Sequence, residues 1–317
     1  MTVLLNVSNL SKHYSARDGK GVVKAVNGIS FSLAQGRTLG IVGESGCGKS
    51  TVARLILRLI APTAGEVHFK GKNLMKLDAP SLRRMRQHIQ IVFQDPYASL
   101  DPRMTVDSII SEPLDIHNVG TKTERQKSVL DLLDLVGLDR ASARKYPHEF
   151  SGGQRQRISI ARAIALKPEL IVLDEPVSAL DVSIQSQILN LLQDLKHELK
   201  LSYVFISHDL SIVEHVSDDV AVMYLGQIVE YGKAEDVLQS PLHPYTQALV
   251  SAIPGKNKGN RIVLAGDPPN PEKIPLGCSF HPRCHKVLER CLSVLPPVRT
   301  LGARAVCCHL DFGVVDR

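Results

Sequence analysis

The sequence predicts an α/β fold in which helices cover a mostly parallel sheet, and three observations support this prediction. Short apolar runs typical of buried strands, such as TLGIVG and LIVLDEP, alternate with helical patterns along much of the chain. A glycine-rich loop separates one of these strands from the helix that follows it. The 317 residues are 44% hydrophobic, which is enough for a full core and for more than one domain.

Changes in composition divide the chain into three parts. Residues 1–253 carry the alternation of strands and helices, and we expect them to form the main domain. About residues 95–160 form a predicted helical subdomain inserted into it, and one helical face there carries Val129, Leu132, Leu133 and Val136. Residues 254–317 hold eight of the 18 prolines and five of the six cysteines. This last part is predicted to be a small regulatory or metal-binding extension with few large apolar groups of its own.

The charge distribution argues against nucleic acid as a partner. The formal net charge is +6, but ten Lys and Arg and five Asp and Glu fall in residues 254–317, which leaves 28 against 27 elsewhere. Aromatic residues make up 4% and Trp is absent, so no stacking surface for single strands is predicted. No apolar run approaches the roughly 18 residues of a membrane span, and the start lacks the order of a signal peptide. We therefore expect a soluble chain on the cytoplasmic side.

The stretch GESGCGKS matches the pattern G-x-x-x-x-G-K-[ST] between a predicted strand and a predicted helix. Its backbone N–H groups can wrap a triphosphate, Lys49 can reach the β- and γ-phosphates, and Ser50 can bind Mg²⁺. Cys47 is interpreted as a small residue that fits the loop, with a redox role as the alternative. The residues predicted to cradle the phosphates through the backbone are Gly43, Glu44, Ser45, Gly46, Cys47 and Gly48.

Polar side chains suited to hydrolysis follow three other predicted strands. LIVLDEP delivers Asp174 and Glu175 at its carboxyl end, where sheets of this type bind ligands. Asp174 is predicted to hold the Mg²⁺ shell, and Glu175 to orient and deprotonate the attacking water. Gln94 follows IQIVF and His208 follows YVFI, so both can face the γ-phosphate.

A second pair of glycines, in EFSGGQRQR, lies at the start of another predicted helix. Glycines at a helix start let backbone N–H groups approach an anion closely, and Ser151 suits the N-cap. The chain thus has two predicted phosphate-binding elements, about a hundred residues apart. One bound nucleotide does not account for both.

The ordered set GESGCGKS, the Gln of FQDP, SGGQ, LIVLDE, SALD and SHD resembles the ATP-binding subunit of ABC transporters over about residues 3–250. In that family two ATPase subunits face each other head to tail, and the SGGQ signature of one closes on the ATP held by the other. The resemblance therefore implies a P-loop NTPase core of the ABC type, with ATP and Mg²⁺ as cofactors. It also accounts for the two phosphate-binding elements, because they serve two different ATP molecules.

The resemblance assigns roles to single positions. It implies phosphate and magnesium contacts for Lys49, Ser50 and Thr51. Gln94 resembles the residue that senses Mg²⁺ and the attacking water, and His208 the switch histidine. The signature residues implied to contact the opposing γ-phosphate are Ser151, Gly152, Gly153 and Gln154. Asp181 is implied for the cross-dimer loop, and Tyr14 for the aromatic residue stacked on adenine. For Tyr14 a structural role is an equal alternative.

SPLHPYTQALVSAIP and the tail after it resemble the oligopeptide, dipeptide and nickel importers of bacteria. TLGIVGESGCGKST and FQDPYASLDPRMTV resemble the second of the two unlike ATPase subunits of such importers, although Asp101 stands where the family usually has Asn. The implied partners are a second ATPase subunit, two integral membrane permease subunits and an extracellular substrate-binding protein. The implied location is peripheral, at the cytoplasmic face of the inner membrane. Peptide cargo is expected, and nickel stays open.

The tail contains five cysteines with the spacing C-x₅-C-x₆-C followed by a CC pair. Disulfides are disfavoured in a reducing cytosol, so a metal is the better cross-link. Members of the peptide-importer family can carry a [4Fe–4S] cluster here, which implies Cys278, Cys284, Cys291 and Cys308 as ligands, with Cys307 as the weaker substitute for Cys308. Zinc with help from His281 or His309 and free thiols are the alternatives.

Two functions of other classes are open at this point. A soluble ABC ATPase acting on DNA would need a long coiled coil between the phosphate loop and the signature, and a translation factor would carry two ATPase halves; neither is present. A redox sensor built on the tail cysteines is the second alternative. The complete ATPase set makes that a form of regulation instead of the main function.

Overall fold

The computed structural model describes residues 2–15, 21–253, 255 and 261–312. Contacts group the chain into two compact units. The first unit combines Met1–Met75 with Phe205–Arg317, and the second unit is Lys76–Val204. The predicted extension 254–317 therefore shares a unit with the predicted phosphate loop.

The first part of the chain builds an antiparallel sheet and the strand that leads to the glycine loop. The sheet has the order β2-β1-β4-β5, with Leu5 of β1 opposite Leu33 of β2. The elements are β1 Val3–Ser15, β2 Val22–Ala34, β3 Thr38–Val42, α1 Lys49–Ile56, β4 Ala64–Phe69 and β5 Lys72–Asn73. Helix α1 is shorter than its apolar pattern predicts, because Arg58 adopts a left-handed backbone conformation with φ 49°.

The second unit is mostly helical around two parallel strands. Its elements are α2 Ala79–Met85, β6 Ile89–Val92, α3 Pro96–Ser99, α4 Val106–Ile116, α5 Lys122–Leu135, α6 Gly152–Ile164, β7 Leu170–Asp174 and α7 Val182–Leu199. Strands β6 and β7 pair in parallel, with Ile91 opposite Val172. Every residue of β7 is buried, as the apolar run predicts.

Helix α5 illustrates how local sequence sets an element of this unit. It begins at a capping box, in which Thr121 accepts from the backbone of Glu124 while the Glu124 carboxylate accepts from the Thr121 N–H. The helix contacts α4 and α6. Val129, Leu133 and Val136 are fully buried, as predicted, whereas Leu132 is only half-buried at the edge of this face.

Strand β8, Ser202–Ser207, crosses the border between the two units, and the chain then returns to the first unit. The remaining elements are α8 Leu210–Val216, β9 Asp219–Tyr224, β10 Gln227–Lys233, α9 Ala234–Gln239, α10 Pro244–Ser251, β11 Val298–Leu301 and β12 Arg304–Cys307. Within this unit five strands follow the order β11-β12-β10-β9-β3. Only the β3–β9 pair among them is parallel.

The extension adds its own strands and a small apolar core to this unit. Strand β12 pairs with β10, which places Val306 opposite Glu230. Phe280 and Val306 are each 1% exposed, so the extension buries more apolar surface than its composition predicts. The composition of the extension does not predict this burial, because the side chains that cover Phe280 and Val306 come from residues far apart along the chain.

Among the described residues, no helix combines the length and the apolar character that crossing a bilayer requires. The α/β fold predicted from the sequence is confirmed. Each unit contains a parallel pair, β3–β9 in the first and β6–β7 in the second, and β10, β11 and β12 of the first unit pair antiparallel.

Truncating the buried face of α5 should destabilise the protein. We expect Leu133→Ala to lower the free energy of unfolding by about 2–5 kcal/mol, because it leaves a cavity at a site with no exposure. Leu132→Ala is the matched control on the same helix and should cost about 1 kcal/mol or less, since that side chain keeps part of its contact with water. Urea unfolding measures both. Equal losses for the two variants would contradict this assignment of the helical face.

Candidate active site

The glycine loop connects buried strand β3 to helix α1 in a way that requires glycine. Gly48 is the N-cap of α1 with φ 108°, in the left-handed region. A Cβ atom at this position would lie 2.1 Å from the carbonyl oxygen of Ala25. The end of the loop can therefore adopt this course only without a side chain.

Lys49 is the central charge of this loop. Its side chain is buried, with 5% exposure, and its Nζ donates to the carbonyl oxygens of Gly43 at 2.7 Å and Glu44 at 3.0 Å. The ammonium group is thus held inside the loop that a phosphate would enter. Ser50 and Thr51 follow it in the first turn of α1 and are half-buried.

Cys47 is buried within the loop, with 4% exposure. Its carbonyl oxygen accepts from the Gly226 N–H at 2.9 Å, and burial raises the pKa of its thiol. A buried neutral thiol is a poor nucleophile. This position fills space inside the loop.

Glu44 is held by residues that the sequence does not connect with the loop. Its backbone N–H donates to the hydroxyl of Tyr245 at 2.9 Å. Its carboxylate accepts two hydrogen bonds from the Arg283 guanidinium, at 2.7 and 3.0 Å. These partners lie 201 and 239 residues along the chain, and no local pattern indicates either contact.

The two predicted acidic residues lie at the end of β7 in the second unit. Asp174 is the last residue of the strand and is 5% exposed. Glu175 follows with φ 48°, a left-handed conformation that costs free energy outside glycine and concentrates at functional sites. Gln94 Nε2 donates to Glu175 Oε2 at 3.0 Å. The structure therefore joins two predicted site residues directly and aims the amide at the carboxylate.

The SGGQ stretch starts helix α6 with a capping box. Ser151 Oγ accepts from the Gln154 N–H at 3.4 Å, and Gln154 Oε1 accepts from the Ser151 N–H at 3.0 Å. Gly153 also has a packing reason to be glycine, because a Cβ there would lie 2.5 Å from Ile184 Cγ2 on α7. The sequence alone predicts only the approach to an anion.

Three other predicted site residues lie at the ends or on the surface of elements. His208 follows β8 and precedes Asp209, the N-cap of α8. Asp181 is the N-cap of α7 in the second unit. Tyr14 lies on β1 with 39% exposure, and the Lys12 ammonium lies 5.0 Å from the centre of its ring.

The tail brings four of its cysteines near one another. The Cys278 N–H donates to the Cys291 carbonyl oxygen at 2.9 Å. Burial, followed by the neighbouring thiols of Cys291, Cys308 and Cys284, raises the pKa of Cys278 to about 12. Cys307 turns away, since its thiol donates to the Pro296 carbonyl oxygen at 3.4 Å.

The predicted metal site is not shown by this arrangement. Within the described ranges, no group of three or more His, Cys, Asp or Glu side chains is placed to hold a metal ion. The histidines considered for zinc each have one ring nitrogen at a carbonyl oxygen, His281 at Cys278 and His309 at Val294, both at 2.9 Å.

A phosphate loop between strand and helix, a carboxylate pair after a buried strand and a capped SGGQ helix define an ATPase of the ABC type. The family described as "ABC transporter" matches residues 26–178. The family described as "Oligopeptide/dipeptide transporter, C-terminal region" matches residues 229–291. The chain belongs to the ATP-binding proteins of ABC transporters, in the branch that carries this C-terminal region.

Similar proteins extend over almost the whole chain. The "Oligopeptide transport ATP-binding protein AppF" of Bacillus subtilis is 51% identical, over 97% of each chain. The "Dipeptide transport ATP-binding protein DppF" of Haemophilus influenzae is 49% identical, over 98% of each chain. Its namesake from Escherichia coli is 48% identical, over 96% of this chain and 93% of the other.

Solved structures match the core of the fold. The ATP-binding cassette MJ0796, solved as a dimer bound to ADP and Pi, superposes with a TM-score of 0.67 at 30% identity, over 73% of this chain and 99% of the other. The protein cbiO1 from Clostridium perfringens gives 0.65 at 28% identity, over 76% and 92% of the two chains. The predicted ABC ATPase core is confirmed.

The packing role of Gly153 can be measured apart from any ligand. We expect Gly153→Ala to lower the free energy of unfolding by about 1–3 kcal/mol, because the new methyl group would overlap Ile184. Gly152→Ala, whose Cβ would lie 3.3 Å from Leu180, should cost less. In a protein that already carries Ile184→Ala, the Gly153→Ala substitution should lower the free energy of unfolding less than it does in the wild type, because the overlapping side chain is gone. Thermal unfolding tests this, and additive losses in the double variant would contradict it.

Proposed function

We propose that this chain is the ATP-hydrolysing subunit of a bacterial importer that takes up dipeptides or oligopeptides. The observation that carries the proposal is near-complete coverage, at about half identity, of proteins named for oligopeptide and dipeptide transport. The match of residues 229–291 to the C-terminal region of such transporters supports the same conclusion. The phosphate loop around Lys49 supplies the ATP-binding part of the proposal.

The proposed chemistry gives each of the predicted site residues one role. Lys49, with the loop N–H groups, binds the phosphates. Ser50, Asp174 and Gln94 hold Mg²⁺, which supplies charge neutralisation on the phosphates when bound. Glu175 accepts a proton from the attacking water, and the 3.0 Å hydrogen bond from Gln94 holds its carboxylate in position. His208 contacts the γ-phosphate from the end of β8, and Tyr14 stacks on the adenine.

The signature residues act on a second nucleotide. Ser151 through Gln154 bind the γ-phosphate of an ATP held by an opposing ATPase subunit, and Asp181 lies in the loop that couples the two sites. ATP-driven closure of this pair moves two membrane permease subunits, which receive cargo from an extracellular substrate-binding protein. The dimeric MJ0796 structure, which covers the core of this chain, supports such a pair. The location that follows is peripheral, at the cytoplasmic face of the inner membrane.

Purification of the intact assembly tests the function. The chain, tagged and expressed from its native locus, should copurify with two membrane permeases and a second ATPase subunit. In proteoliposomes, ATP hydrolysis should rise when the binding protein is loaded with a dipeptide or an oligopeptide. Stimulation by Ni²⁺ and not by peptides would reassign the cargo, and the absence of any membrane partner would overturn the importer function.

Loss of the Glu175 carboxylate should separate ATP binding from hydrolysis. Glu175→Gln keeps the side-chain size but removes the base, so we expect hydrolysis to fall by about a hundredfold or more while ATP still binds. Glu235→Gln, an exposed position in the first turn of α9, is the matched control and should leave the rate unchanged. Phosphate release by the reconstituted complex is the measurement. A Glu175→Gln rate near that of the control would remove Glu175 from this role.

We propose further that Cys278, Cys284, Cys291 and Cys308 hold a [4Fe–4S] cluster. What supports this is the all-cysteine donor set, together with the hydrogen bond from the Cys278 N–H to the Cys291 carbonyl oxygen at 2.9 Å, which holds two of these cysteines side by side. Cys307 donates to a carbonyl oxygen instead, in line with Cys308 as the ligand of the CC pair. When bound, the cluster would cross-link the loops of the extension. Zinc is the alternative metal.

Metal analysis of anaerobically purified protein distinguishes these alternatives. We expect a brown protein with about four iron and four sulfide per chain. Cys308→Ser should lose the iron, whereas Cys307→Ser, its neighbour, should retain it. Stoichiometric zinc without iron would replace the cluster by a zinc site, and the absence of any metal would refute both.

A further inference from the structure

Glu44, the second residue of the phosphate loop, is fixed at three points. Its N–H donates to Tyr245 at 2.9 Å, and its carboxylate accepts two hydrogen bonds from Arg283. Its carbonyl oxygen accepts from Lys49 at 3.0 Å and from the Cys47 N–H at 3.3 Å. Two of these four partners, Tyr245 and Arg283, come from outside the loop. The start of the loop is therefore set by the C-terminal part of the first unit as well as by its own sequence.

Arg283 makes a strong and directional contact. The guanidinium meets the Glu44 carboxylate through two nitrogen–oxygen pairs at 2.7 and 3.0 Å, the bidentate geometry that arginine alone provides. The arginine side chain is 7% exposed and that of Glu44 27%, so water competes weakly for this pair. Removing one partner would leave the other charge poorly compensated.

The position of Arg283 is itself fixed by the fold of the extension. It ends the 3₁₀ turn His281–Arg283, where its N–H donates to the Phe280 carbonyl oxygen at 3.0 Å. The Phe280 ring lies 5.3 Å from that of Tyr245, the residue that also binds the Glu44 N–H. The Arg283 Nε donates to the Ala265 carbonyl oxygen at 3.3 Å. Both outside contacts to Glu44 therefore come from one packed cluster.

We propose that Arg283 is a positioning residue for ATP binding, through which the cysteine-bearing extension holds and neutralises the phosphate loop. A carboxylate in a loop that binds polyphosphate repels its ligand, and the paired guanidinium cancels this charge. The same pair ties the Glu44 side chain to the extension, which limits the conformations open to the start of the loop. The extension thus takes part in the ATP site directly.

The two effects predict a distinctive pattern of affinities. Arg283→Ala removes the contact that holds the Glu44 side chain and leaves its charge uncompensated. We therefore expect the Kd for ATP to rise about tenfold, which corresponds to about 1.4 kcal/mol of binding free energy. Combining it with Glu44→Gln removes the uncompensated charge, so the double variant should bind more tightly than Arg283→Ala alone. A purely structural role for Arg283 does not predict this recovery, because the double variant removes more contacts.

The experiment uses the full chain and a fluorescent ATP analogue. Kd is measured for the wild type, Arg283→Ala, Glu44→Gln and the double variant, with thermal unfolding to confirm that each is folded. Lys286→Ala is the matched control: it removes another positive charge of the extension, three residues further along, which makes an exposed contact to Gln247. It should keep the wild-type Kd.

In the reconstituted complex, Arg283→Ala should raise KM for ATP with kcat within about twofold, as expected for a group that acts on binding. A wild-type Kd in folded Arg283→Ala, or a double variant weaker than Arg283→Ala, would overturn the proposal. An equal loss in Lys286→Ala would attribute the effect to the net charge of the extension and would also overturn it. The binding measurement needs neither peptide nor cluster, so its result is independent of the proposed cargo and metal.

Discussion

A loop that binds polyphosphate through its backbone must be rigid while its N–H groups stay available, and the first unit is built around this requirement. Strand β3 delivers the loop from a fully buried position and pairs in parallel with β9. Gly48 lets the chain pass close to the Ala25 carbonyl oxygen at the start of α1. Lys49 binds the carbonyl oxygen of Glu44, and Arg283 binds its carboxylate, so both hold the start of the loop. The start of the loop is made rigid by hydrogen bonds to the carbonyl and carboxylate oxygens of Glu44 and from its N–H.

The second unit meets a different requirement, which is to orient a carboxylate. Strand β7 is buried along its whole length, so the direction of the chain at Asp174 is fixed. Glu175 leaves the strand in a left-handed conformation, and Gln94 holds its carboxylate from the end of β6. The parallel pairing of β6 and β7 places these two strand ends side by side. The SGGQ helix joins the same unit through the close contact of Gly153 with Ile184.

The contacts of the extension, residues 254–317, differ from what its composition predicts. Its proline content and cysteines suggest an appendage held together by a metal. In the structure it adds β12 to β10, buries Phe280 between Tyr224 and Tyr245, and reaches the phosphate loop through Arg283. A region that looks separate in composition is thus joined to the ATP-binding half of the protein. Two side chains of this C-terminal part, Tyr245 and Arg283, bind Glu44 of the phosphate loop itself.

The sequence by itself determined the features that depend on short spacings. Short apolar runs predicted β3, β6, β7 and β8, and the motif around Lys49 predicted the loop between β3 and α1. The early end of α1 and the half-exposed Leu132 were missed, because a backbone turn and the edge of a packed face depend on neighbours in space. Only the tertiary structure joined Glu44 to Arg283, 239 residues away, and gave Gly153 its partner on α7. Such contacts have no local signature, since a side chain that binds across a fold is chosen by the geometry of the folded chain and not by its neighbours in sequence.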